Sequence, residues 1–244
     1  PSDAIATPAE YVADMIDLAC DGIGTNETIL LELFATQTPA ALHEGKVAWE
    51  GRTDKSLIDR LHGELHMMHG GLLTLLLSQL KLYFDPDFEV DGKEADPEVA
   101  KKQAEDCRGE LAKGMFSSAD KNLLIDTIGG NNLVQNLKLA EVYENTYDES
   151  LMKGIKKKCG DKLGKCLVAL LKPTPDFIAS RLKHAMDGWG TDSKALLRLL
   201  GGLDGPHMYG VTAAYERKYG LPLASALKKE IGGRAYFILV LSVL

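Results

Sequence analysis

The chain has 244 residues, 45% of them hydrophobic and 26% charged, and a formal net charge of −7. That length suits one large domain or two with a real core, and the balance is globular, not that of a disordered chain. The negative charge argues against a nucleic-acid partner and sets the bare protein against an anionic membrane, unless a divalent cation bridges carboxylate and phosphate.

No stretch alternates with period two over a convincing length, so the pattern predicts an all-α protein. Residues 10–20 read as a helix with Tyr11, Met15, Ile16 and Leu18 as apolar positions. A glycine loop follows, Cys20-Asp21-Gly22-Ile23-Gly24-Thr25-Asn26, and then helices near 27–35 and 40–50, the second opened by Pro39 at a favoured first-turn position. Residues 55–64 form a fourth helix and 71–82 a strongly apolar fifth, with the composition of a central helix buried on most sides. Residues 85–97 are acidic, contain two prolines and read as a linker.

The middle unit, 98–172, is followed by Pro173-Thr174-Pro175 and a last unit, 173–244, which ends in an apolar stretch, Gly233–Leu244. The last unit carries Met186-Asp187-Gly188-Trp189-Gly190-Thr191-Asp192 between two helical patterns, with Thr191 or Asp192 as N-cap. Glycines there free the backbone to expose carbonyl oxygens, and carbonyls converging with a carboxylate are what a hard cation such as Ca²⁺ needs. Glu230 stands forty positions after Gly190, and Glu64 stands forty positions after Gly24. The two copies align without a gap at an offset of 166 from Ala9 to Leu65, matching Ala19 with Ala185, Leu30 with Leu196, Glu50 with Glu216 and Glu64 with Glu230. A lone Gly-x-Gly-Thr is a weak signal; two copies in register, each with a distant Glu, are a strong one. The middle unit is a third copy at an offset of 72 from the last, matching Asp120 with Asp192, Glu144 with Glu216 and Leu151 with Leu223. Its loop is degenerate: Phe116 and Ser118 stand where glycines are expected, and Lys158 stands at the place of Glu230.

This pattern resembles the annexin repeat, the unit of a family of Ca²⁺-dependent phospholipid-binding proteins. The resemblance implies an annexin-like array of five-helix repeats of about 70 residues. It also implies that the Gly-x-Gly-Thr loop supplies carbonyl ligands to Ca²⁺ and that the acidic residue forty positions later completes the site. Carried over residue by residue, the metal ligands would be Cys20, Gly22, Gly24 and Glu64 in the first copy, and Met186, Gly188, Gly190 and Glu230 in the last. The middle copy, with Lys158 in place of the carboxylate, would bind no Ca²⁺ in the family's manner. Three repeats stand where annexins usually have four, and the long acidic linker after the first matches the order of repeats two to four. Divergent repeats of this kind resemble those of protozoan annexins of the alpha-giardin type.

The function implied is reversible, Ca²⁺-dependent binding to anionic phospholipid, with Ca²⁺ as the cofactor and a peripheral position on the cytoplasmic, inner face of the plasma membrane. Four cysteines without Cys-x-x-Cys or zinc spacing fit core packing in a reducing compartment. No apolar run reaches the ~18 residues of a spanning helix, and no signal peptide is read at residue 1. No Ser/His/Asp order, P-loop or dinucleotide fingerprint suggests an enzyme. The alternative is a helical-repeat scaffold that binds protein or cytoskeletal partners with little calcium dependence.

Four finer readings carry two sides each. Asp87, Glu89, Asp91, Gly92 and Glu98 approach an EF-hand loop, but Pro97 and Glu94 fall at unsuitable positions and a solvated connector is the plainer reading. His62, His66 and His69 would share a helical face and could hold zinc, against a polar loop beside the cation site. Trp189 is either an apolar tip presented to lipid headgroups, with Ile23 as its counterpart, or a ring folded back on its own helices. Lys156, Lys157 and Lys158 are either a solvated cluster or a contact for anionic phosphate, each Lys contributing on the order of 1 kcal/mol near such a surface.

Overall fold

The computed structural model describes residues 7–21, 25–65, 70–84, 94–113, 119–187, 190–203 and 205–230. Among these there are fourteen helices and no strand, as the periodicity predicts. Two compact units divide at Lys172/Pro173.

The first unit begins with α1 (Pro8–Cys20), α2 (Glu27–Thr36), α3 (Pro39–Thr53), α4 (Leu57–Leu65) and α5 (Gly70–Leu82). The starts of α1, α2 and α3 are written in the local sequence. Thr7 and Glu10 form a reciprocal capping box ahead of Pro8, and Thr38 caps α3 ahead of Pro39. It continues with α6 (Pro97–Leu111), α7 (Lys121–Gly130), α8 (Leu133–Tyr147), α9 (Leu151–Cys159) and α10 (Asp161–Leu170). Here α1 packs along α3 and α6 along α8, while α5 and α10 meet α7 and α2 at the centre. The core is aliphatic: Leu30, Leu72, Leu75, Leu76, Ile125 and Leu167 are all buried. Burial of such side chains is the dominant favourable contribution to folding, roughly 1.5–3 kcal/mol for each.

Two buried amides stitch this centre together. Gln79 Nε2 donates to the Gly129 carbonyl at 2.6 Å, and Asn136 Nδ2 donates to the carbonyls of Ile128 at 2.9 Å and Leu170 at 3.2 Å. Both satisfy carbonyls at helix ends, where no further intrahelical donor is available. The four cysteines are buried and free. Burial pushes the thiols of Cys107 and Cys166 up to about 12, which keeps them as inert packing groups.

The second unit comprises α11 (Thr174–Met186), α12 (Ser193–Gly201), α13 (Gly205–Tyr219) and α14 (Leu223–Glu230). Within it α11 packs along both α13 and α12. Phe177, Ile178, Leu182, Leu196, Val211 and Tyr215 are buried. The apolar stretch 233–244 lies outside the described residues, as do most of the acidic linker with its EF-hand-like run, His66, His69 and Trp189.

The copies repeat one another in detail. Asp54, Asp148 and Gly220 occupy equivalent places after α3, α8 and α13, and all three have positive φ, 53°, 51° and 67°. In each, the amide donates back to the matched glutamate's carbonyl: Glu50, Glu144 and Glu216. This left-handed turn ends the third helix of every copy and turns the chain into the helix that carries the distant Glu, or Lys158 in the middle copy.

Candidate cation sites

The loop after the first helix of a copy is closed in the same way in the first and last copies. Asn26 N donates to the Ala19 carbonyl at 2.8 Å, and Asp192 N donates to the Ala185 carbonyl, also at 2.8 Å. Asn26 and Asp192 then cap the following helix, accepting from Ile29 N at 3.4 Å and Ala195 N at 3.0 Å. Of the two N-cap candidates, Asp192 therefore caps α12. Thr191 turns instead to the distant glutamate: its Oγ1 donates to Glu230 Oε2 at 3.3 Å. Thr25 does the same in the first copy, with Oγ1 2.8 Å from Glu64 Oε2. The forty-residue spacing thus has a physical meaning. It brings the glutamate back to the threonine that follows the glycine loop.

Glu64 stands in the fourth helix, as the sequence predicts, whereas Glu230, expected in a surface loop, also ends a helix. Glu64 lies inside α4, and Glu230 is the last residue of α14. Both are half-buried on the helix face next to the core-facing leucines Leu61 and Leu227. The amphipathic period sets this: three residues on from a buried leucine places the carboxylate at the margin of the apolar face.

The remaining predicted ligands are unevenly placed. Gly190 has φ 109°, a conformation that favours glycine. Cys20 and Met186 are the buried last residues of α1 and α11, where helix-end carbonyls have no intrahelical partner. Gly22, Gly24 and Gly188 lie outside the described residues. No three His, Cys, Asp or Glu side chains converge among the described residues. The donors that the described residues offer here are thus mainly backbone carbonyls with one carboxylate, the oxygen ligands that Ca²⁺ takes. In the last copy the donor chemistry fits: a helix-end carbonyl, a glycine turn, and a carboxylate with no cationic partner among the described residues.

The first copy differs in one residue that sequence reading passes over. Arg60 Nη2 donates to the Cys20 carbonyl and stands 2.9 Å from Glu64 Oε1. At the matching place in the last copy is Ala226, which is buried and has no donor to offer. In the middle copy Lys158 Nζ donates to the Lys113 carbonyl, one residue before the place equivalent to Met186. Lys158 is therefore drawn back onto its own loop. Glu110 braces the same segment, accepting from Lys113 Nζ and from Asp120 N, and these bonds hold its carboxyl below the usual carboxylate range.

Comparison with known proteins bears on the fold. The annexin family model matches residues 177–241, the last copy. Human annexin A1 is 28% identical over 239 residues, covering 97% of this chain and 66% of that protein, so the chain spans about two thirds of its length. Among solved structures, annexin III superposes with a TM-score of 0.83 at 23% identity, covering 97% of this chain and 71% of the other. A calcium-bound alpha-14 giardin superposes with a TM-score of 0.78 at 16% identity, covering 96% and 76%. No described helix is long and apolar enough to cross a membrane. The repeated helix–glycine-loop–helix unit and the threonine-held glutamate of two copies thus stand in a chain whose last copy matches the annexin family model and which is similar to annexins over almost its whole length.

Proposed function

We propose that this chain binds anionic phospholipid surfaces reversibly and in a Ca²⁺-dependent manner, as a peripheral, non-enzymatic protein of the inner face of the plasma membrane. Its units are repeats at 1–84, 98–172 and 173–244, with the linker 85–97 after the first. The observation that carries this reading is the last copy's Glu230, held by Thr191 beside the left-handed Gly190 and unpaired with any cation among the described residues.

In that loop the carbonyls of Met186, Gly188 and Gly190 and the carboxylate of Glu230 would hold Ca²⁺. The corresponding set in the first copy is Cys20, Gly22, Gly24 and Glu64. When bound, the metal supplies positive charge and open coordination positions that a lipid phosphate oxygen can fill. The chain's own part is to fix the carboxylate: Thr191 orients Glu230, the Asp192–Ala185 bond closes the loop, and Asp192 anchors it to α12. With a net charge of −7, the protein has no other general reason to approach an anionic surface. Lys156 and Lys157, exposed on α9, remain candidates for a direct phosphate contact; Lys158 is engaged with its loop.

Co-sedimentation tests the proposal. The protein should pellet with phosphatidylserine vesicles in Ca²⁺ and stay in the supernatant with chelator or with phosphatidylcholine vesicles. Equal pelleting in Ca²⁺ and chelator would contradict it and favour a calcium-independent scaffold.

A further inference from the structure

We propose that Arg60 is a built-in cation of the first loop, which occupies the coordinating oxygens and makes Ca²⁺ binding there conditional on its displacement. This rests on the cation-site reading above. It goes beyond that reading in making the two intact motifs unequal and in naming the residue responsible.

One guanidinium nitrogen of Arg60 bridges two atoms assigned as ligands, the Cys20 carbonyl oxygen and Glu64 Oε1. The second Glu64 oxygen accepts from Thr25 Oγ1. The last copy has the same threonine bond, so what sets the first copy apart is that Arg60 engages two further oxygens a metal ion would use. A guanidinium does not lose its proton, so only movement of the side chain frees these oxygens. A Ca²⁺ ion cannot share them with a positive charge at hydrogen-bond distance, because the repulsion between the two cations opposes it. The glycine motif and the glutamate are intact in the first copy, yet the set does not fit a metal until Arg60 moves.

The other two copies supply the comparison. Ala226 stands at the place of Arg60 in the last copy, and there Glu230 has no cationic partner among the described residues. In the middle copy the carboxylate is replaced by Lys158, whose ammonium reaches the carbonyl of Lys113. One loop is thus left for a metal ion, one is held by a lysine, and one carries both a carboxylate and an arginine. Arg60 also has somewhere to go. It is more than a third exposed, and it lines an open cavity of about 500 Å³ whose wall includes Asp14, Asp17 and Asp21. Asp14 and Asp17 on that wall already pair with Arg52, and Asp21 is the carboxylate that would receive the released guanidinium, so displacement exchanges one charged partner for another. The last loop would then fill at low Ca²⁺ and the first only at higher Ca²⁺, giving the protein a second, later-engaged contact.

The test is a calorimetric Ca²⁺ titration of the full chain, with Glu230→Gln as background so that the first loop is read alone. Adding Arg60→Ala should tighten the remaining site about tenfold or more, in line with the strength of charge-assisted hydrogen bonds. Arg60→Lys, which keeps a cation, should restore most of the weak binding. Arg60→Gln, which keeps the side chain's length and loses its charge, replaces the alanine variant if circular dichroism shows that one unfolded. Equal affinity with and without Arg60, or a lysine variant that behaves like alanine, would overturn the proposal. If the parent chain binds Ca²⁺ and the arginine variants gain nothing, the failure belongs to Arg60 alone. If neither parent nor variants bind Ca²⁺, the cation-site reading fails with it.

Discussion

Glu230→Gln should weaken Ca²⁺ binding at the last loop on the order of a hundredfold, about 2.7 kcal/mol, because ligand charge count is the main determinant of affinity in such sites. The substitution keeps the side chain's shape and leaves Thr191 an oxygen to donate to. Only the charge is lost. The carbonyl donors that remain do not compensate a dipositive ion. Glu230 is half-buried at the end of α14, and its carboxylate accepts a hydrogen bond from Thr191 and makes no ion pair among the described residues. Helix content and denaturation midpoint should therefore stay close to the parent's, within roughly 0.5 kcal/mol. Calorimetry with circular dichroism separates the two effects. Unchanged Ca²⁺ binding would show that the ligand assignment is wrong, and unfolding would show that Glu230 holds α14 in place.

The largest effect on stability is expected at Gly45. A Cβ built there would lie 2.1 Å from Val12 Cγ1 and 2.3 Å from Val12 Cβ. Val12 is buried in α1 and, being β-branched, has no alternative rotamer to retreat into. The two helices cannot slide apart cheaply, since Trp49 Nε1 donates to Asp17 at 2.6 Å and Arg52 pairs with Asp14 at 2.6 Å and Asp17 at 3.0 Å. Gly45→Val should therefore destabilise the first unit by about 3 kcal/mol, at the upper end of overpacking effects. Urea denaturation measures it. Gly51→Ala is the control on the same helix: nothing lies within 4 Å of its added Cβ, and alanine's better helix propensity should stabilise by up to about 1 kcal/mol. The matching residue in the last copy is Val211, itself buried, so the close approach belongs to the first copy's own pair of residues and not to the repeat.

How far the sequence could be read follows from what kind of signal each feature leaves. Helices are local, and their apolar period and caps are visible in the chain: Pro8, Pro39, Asn26 and Asp192 all mark the starts that the structure shows. The link between each glycine loop and its distant glutamate is legible only because the pattern occurs twice in register; that Thr25 and Thr191 are the residues that meet Glu64 and Glu230 is seen only in the structure. A single copy would have been one glutamate among many. Gly45 left no trace, because a glycine inside a helix looks the same whether it is idle, like Gly51, or pressed against a neighbour. Arg60 and Lys158 were misleading in another way. Charged residues on an amphipathic helix read as solvated, and nothing local says that their tips return to a loop forty residues away. The signal lies in the mismatches of the repeat alignment and not in its matches: Lys158 against Glu230 is read from the sequence, whereas Arg60 against Ala226 is passed over.

A Ca²⁺ titration of the parent chain with and without phosphatidylserine vesicles tests the central claim most directly, because coupling between the two ligands is reciprocal. If metal and lipid phosphate complete one site, Ca²⁺ affinity should rise by at least about tenfold when the vesicles are present, as for a coupling in the usual range of 1–3 kcal/mol. Phosphatidylcholine vesicles should leave it unchanged. Identical Ca²⁺ isotherms with and without phosphatidylserine would contradict the account, since metal and membrane would then not share the loop that Thr191 and Glu230 form.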